Sequence, residues 1–180
     1  MTKKDNNQMK LSIVSALTAL IISTTAQADD TRIKLPADYK STFTNYLNLD
    51  RIQNDDQIIH LYANDIAMKG RDASGKFPNG SIVIGEVYKA KKDKNGDVIE
   101  SELGQRIRGK LAVIAVMEKQ EGWGKDFSEE HKNDDWDFAA FKPDGTDAKK
   151  DLNSCRACHA PLGEQDHLFS FEHIGQHIGR

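Results

Sequence analysis

The apolar positions of this chain recur mostly with the two-residue period of strands. Gln57 to Ala63 (QIIHLYA), Ser81 to Ala90 (SIVIGEVYKA), Gly109 to Lys119 (GKLAVIAVMEK) and Trp136 to Phe141 (WDFAAF) are short runs rich in β-branched and aromatic residues, and they predict four strands. In the second run, Ile82 and Ile84 share one face while Ser81, Val83 and Gly85 share the other. Gly85 interrupts this strand, as glycine does at a bulge or where something approaches the backbone closely. Asn95-Gly96 is a hairpin turn signal between the second and third strands. Before the strands, Tyr39, Phe43, Tyr46 and Leu47 recur at helical spacing behind Pro36, which predicts a helix over Leu35–Leu49. Asn64 to Lys69 reads as a helical turn, and Gly70–Gly80, Gly122–Asp135 and Pro143–Lys150 as polar loops. After the strands, Asn153 or Ser154 can cap a helix that Pro161 ends, and Leu168, Phe169, Phe171 and Ile174 are available to pack back on the core. The pattern is α+β and β-rich: an antiparallel sheet between an N-terminal helix and a C-terminal helix.

The first 28 residues follow a different logic. Lys3, Lys4 and Lys10 precede an apolar run from Leu11 to Ile22, and Ala26-Gln27-Ala28 supplies a small-residue cleavage site. A run of twelve residues is short for a stable membrane anchor, so residues 1–28 are expected to be a signal peptide, leaving residues 29–180 as one domain without a membrane anchor. Removing Lys3, Lys4, Lys10 and Asp5 with the leader leaves 22 basic and 27 acidic side chains, a balance that argues against a nucleic-acid partner.

The two cysteines of the chain are Cys155 and Cys158, and His159 follows directly. Cys-x-x-Cys-His is the attachment spacing of c-type haem. Each thiol adds to one vinyl group, and the next residue can bind iron through its imidazole. The expected cofactor is therefore one covalent haem c, with His159 as the metal ligand. A thioredoxin-like pair, a short disulfide and a zinc site made with His173 and His177 compete for the same cysteines. The zinc set leaves His159 without a role, and an export signal favours haem, which is attached outside the cytoplasmic membrane. Only 21 residues follow His159, none of them methionine. Met117 and His60 are the upstream candidates for a sixth ligand, and both read more readily as structural. His167, His173 and His177 are expected at the surface. A five-coordinate iron open to small gases follows.

The order of several segments resembles the cytochrome P-460 and cytochrome c′-beta family. These are Leu35-Pro36, the strand with Tyr62, Phe77-Pro78-Asn79-Gly80-Ser81-Ile82-Val83-Ile84, Val116-Met117-Glu118-Lys119, Trp136-Asp137-Phe138, Cys155 to His159, and Asp166-His167-Leu168-Phe169. The resemblance implies a periplasmic, commonly dimeric protein with a five-coordinate c-type haem on His159. It also implies nitric oxide as ligand and a redox partner protein. The hydroxylamine-oxidising branch carries a haem-cross-linking lysine five residues after the glycine of the Phe-x-x-Gly run, and that position is Gly85 here. The departure points to the c′-beta side, with Val83 and Gly85 facing the haem and Phe77 resembling a phenylalanine that caps the distal pocket. Hydroxylamine oxidation and six-coordinate electron transfer are the alternatives.

Overall fold

The computed structural model describes residues 31–175, together with Met1. The expected leader and His177 lie outside the described residues. Five strands, β1 (Thr44–Asp50), β2 (Gln57–Ala63), β3 (Ile82–Ala90), β4 (Arg108–Lys119) and β5 (Trp136–Phe141), form one sheet in chain order. Every neighbouring pair is antiparallel. Four short helices accompany them: α1 (Tyr39–Thr42), α2 (Asp65–Met68), α3 (Leu152–His159) and α4 (Phe171–Gly175). The architecture is the β-rich α+β one that the alternation predicts. Among the described residues, no helix is long and apolar enough to cross a membrane.

The predicted N-terminal helix is corrected. It stops at Thr42, Phe43 is extended (φ −95°, ψ 148°), and the rest of the segment is the edge strand β1. Thr, Phe, Asn and Tyr, which dominate residues 42–48, lose rotamer freedom or compete for backbone bonds in a helix. Pairing from Thr44–Ala63 to Asp50–Ile58 satisfies their backbone instead. The register shifts between Asn45 and Leu47, a bulge that inserts Tyr46 as an extra residue. It explains how Tyr46 and Leu47, adjacent in sequence, both join the same core cluster. A strand with such a bulge imitates helical spacing.

Strand alternation divides the core between the two faces of the sheet. The front cluster holds Val83, Met117, Phe138, Phe77 and Trp136, with Cys155 packed against it. The rear cluster holds Ile33, Tyr39, Ile84, Val116 and Phe141, and the segment before β1 covers it. Glu86 projects to the rear and is 1% exposed. Three tyrosine hydroxyls donate to it, Tyr39 at 2.5 Å, Tyr88 at 2.6 Å and Tyr62 at 3.2 Å. The Lys40 ammonium lies 2.7 Å away. Burial disfavours the charged carboxylate, but the bonds from Lys40, Tyr39 and Tyr88 outweigh it and hold Glu86 below its ordinary value of 4.5. Burial and the neighbouring carboxylate push the Tyr39 hydroxyl up in turn.

Two outcomes follow. Glu86→Ala should cost about 2 kcal/mol, because it strands hydroxyls that had a charged acceptor. In wild type, the folded value of Glu86 is the lower one. Its stabilisation is therefore complete above pH 4.5 and lost as pH falls through the folded value. Thermal melts against pH check both: the wild-type curve should steepen below pH 4.5 and the variant's should be flatter there.

Candidate haem site

The motif helix α3 is capped by Asp151, whose carboxylate accepts from the Asn153 N–H at 3.0 Å. The cap is therefore Asp151, a correction to the expected Asn153 or Ser154. Asn153 instead accepts from Arg156 Nη1 at 2.8 Å, and Ser154 Oγ donates to the Asp151 carbonyl. Cys155 and Cys158 are free thiols one turn apart, Cys155 half-buried and Cys158 exposed. Burial pushes the Cys155 thiol up.

Arg156, between the cysteines, anchors the helix to the sheet. Its guanidinium donates to Asp137 Oδ1 on β5 through Nε (3.2 Å) and Nη2 (2.8 Å) and lies 4.2 Å from the centre of the Phe127 ring. Asp137 also accepts from Arg32 Nε at 2.8 Å, and Asn133 Nδ2 donates to the Arg156 carbonyl at 3.1 Å. A buried guanidinium tied to a buried carboxylate fixes the rotation of α3, and with it the directions of Cys155 and His159.

His159 ends the helix with its ring between Phe138 and Phe169, each 4.9 Å away edge to face. Its Nδ1 lies 2.7 Å from the His167 carbonyl, and His167 Nδ1 lies 3.2 Å from the His159 carbonyl. A carbonyl can only accept, so Nδ1 of His159 carries the proton. Burial lowers the ring below the ordinary imidazole range, which favours the neutral form. In that tautomer the lone pair is on Nε2, the arrangement of a metal-binding histidine whose other nitrogen is committed.

The front face of the sheet completes the surroundings. The row Leu61, Gly85, Ala115 and Ala140 crosses four strands in direct register, beside the row Ala63, Val83, Met117 and Phe138. Leu61 is half-buried and Ala115 exposed, so this apolar band is only partly covered by protein. A Cβ on Gly85 would meet Ile59 Cδ1 at 3.0 Å and Leu61 Cδ2 at 3.4 Å. Gly85 is buried beneath these two side chains, and the open part of the band is at Ala115 and Leu61. The thiol spacing, the free Nε2 and the open apolar band all fit a haem.

Cys155, Cys158 and His159 thus lie together, and Val83 and Gly85 share the face against which Cys155 packs. Phe77 is buried between Trp136 (6.2 Å) and Phe171 (5.9 Å) in the front core. Met117 is buried on this face as well. His60 pairs in register with Glu86, on the rear side, where it meets Arg108 Nη1 at 3.3 Å and the Tyr88 ring at 5.0 Å. His167 is buried, against the surface position expected for it, because its ring and carbonyl exchange bonds with His159. His173 is half-buried. Among the described residues, no group of three or more His, Cys, Asp or Glu side chains is placed to hold a metal ion.

Sequence reasoning missed Asp137, Phe138, Lys119 and Asp166 as parts of the site. Lys119 closes an apolar strand, and nothing local distinguishes a buried lysine there from a solvated one. Asp137→Ala should cost about 3 kcal/mol, since it takes two bonds from a buried guanidinium; urea unfolding of the variant measures it.

The family model described as Cytochrome P460 matches residues 36–170. A search of curated proteins found no match.

Proposed function

The chain belongs to the cytochrome P460 family, which implies a haem cofactor, and from that premise we propose that it is an exported mono-haem c-type cytochrome whose five-coordinate iron binds nitric oxide. The observation that carries this reading is the orientation of His159, with Nδ1 committed to the His167 carbonyl and Nε2 left for a metal. Cys155 and Cys158 would hold one haem through thioether bonds, and His159 would be its axial ligand. Val83 and Gly85 would face the ring, and Phe77 would wall the same core. A bound haem supplies a redox-active iron that takes small diatomic ligands.

The chain's contribution is to exclude charge from the open side. The band beside Cys155 is built from Leu61, Gly85, Ala115, Val83 and Met117, none of which titrates near neutrality. Glu86 is turned to the rear and occupied by three tyrosines, and Glu118 accepts from Gln120 at 2.8 Å. An apolar surface without an acid–base group favours neutral diatomics over anions. Hydroxylamine oxidation is less well supported, because the position of the cross-linking lysine is Gly85. The same substitution supports a reading on the c′-beta side of the family. Export to the periplasm, a redox partner and a homodimer belong to the same proposal.

Optical spectra test it. The purified oxidised protein should be high-spin, and the spectrum should change on adding nitric oxide. Cys155→Ala with Cys158→Ala should leave a haem that extracts into acidified organic solvent, where wild type retains it. A sharp low-spin spectrum indifferent to the gas would overturn the reading, and hydroxylamine-dependent reduction of a ferric acceptor would move it to the oxidase branch.

A further inference from the structure

Asp166 and His167 are consecutive non-glycine residues in the left-handed region, with φ of 46° and 62°. A side chain with a Cβ disfavours this conformation, so the surrounding structure must impose it. What surrounds Asp166 is a buried ion pair. Asp166 is fully buried and Lys119, the last residue of β4, is 6% exposed. Lys119 Nζ donates to both carboxylate oxygens, at 2.9 and 2.8 Å. The Phe77 N–H donates to Asp166 Oδ2 at 2.7 Å. Lys76 Nζ, 3.7 Å from Asp166 Oδ1, donates to the Gly163 carbonyl at 3.0 Å and to Asp134 at 2.8 Å.

A buried ion pair contributes little stability beyond what an apolar pair of the same shape would, because its desolvation offsets its attraction. What it does supply is position. Here the position it fixes is that of the next residue, whose carbonyl receives the His159 Nδ1–H at 2.7 Å. We propose that the Asp166–Lys119 pair is a positioning device for His159: it holds the left-handed turn that presents the His167 carbonyl, and so sets the tautomer and electron-donating strength of the imidazole. The inference rests on His159 being the axial ligand. A shorter, straighter bond to Nδ1 makes the ring a stronger donor at Nε2. Lys119 and Asp166 act through His167 and touch neither the iron nor its ligand atom.

The test uses the haem-loaded protein, comparing wild type with Asp166→Asn, Lys119→Met and the double variant. Three quantities are read: the iron–histidine stretching band of the ferrous protein by resonance Raman, the midpoint potential, and the melting temperature. Both single variants should shift the band to lower frequency and the potential upward, as a weaker donor ring requires. The double variant should move them no further than the larger single change, since both residues serve one turn. Lys119→Arg should restore most of the band position. Variants that melt earlier with band and potential unmoved would reduce the pair to a structural contact and overturn the inference. Should Asp166→Asn fail to fold, Lys119→Met carries the same readout. A wild-type protein with no iron–histidine band overturns the axial assignment itself, and with it the proposed function.

Discussion

A five-stranded sheet with apolar residues on both faces must be covered twice, and this chain covers it from its two ends. The segment before β1 lies over the rear, through Ile33, Tyr39 and Phe43. The front receives α3, α4 and the turn between them, through Leu168, Phe171 and Ile174. The rear cover is anchored at depth by the Glu86 carboxylate. The front cover is incomplete: Ala115 is exposed and Leu61 half-buried beside a glycine. Cys155 of the motif helix packs against this same front cluster. The asymmetry between the two faces is what turns a sheet into a site.

The electrostatics follow the same division. Behind β3, burial pushes the tyrosine hydroxyls up while Glu86 stays charged, so that a charge is kept inside the protein at the cost of dedicated donors. In front of the same strand, side chains one residue away carry no charge at all. The ion pairs of the front are at its rim, where Arg156 is matched by Asp137 and Asp166 by Lys119. The imidazole between these pairs is kept neutral by burial and directed by a backbone carbonyl rather than by a carboxylate. A neutral acceptor leaves the ring a histidine of ordinary donor strength instead of one approaching an imidazolate.

Much of this was legible in the residues. Runs of β-branched and aromatic residues located β2 to β5 to within a residue or two, because these strands pack apolar side chains against cover on the sheet's faces. The Cys-x-x-Cys-His spacing located the motif helix and its histidine. Alternation also put Val83 and Gly85 on one face and Glu86 on the other. The first strand was hidden because its bulge places Tyr46 and Leu47 on one side, a spacing that a helix also produces. The burial of His167 and Lys119 was hidden for a different reason. Both depend on a turn in the left-handed region, which Asp and His tolerate better than most residues but do not by themselves specify. Local composition reports what a residue prefers, and these residues are held where they are by partners 8 and 47 positions away.

The bulge that disguised β1 also affects its outer edge. An open sheet exposes unpaired amides along its first strand, which invite another chain to add on. Here the pleat is broken between Asn45 and Leu47, and the side-chain amides of Asn45 and Asn48 bond one another reciprocally at 2.9 and 2.8 Å. A guest strand would find a kinked template whose regular run is interrupted near its start. The irregularity therefore makes this edge a poor template for continuing the sheet into a neighbour.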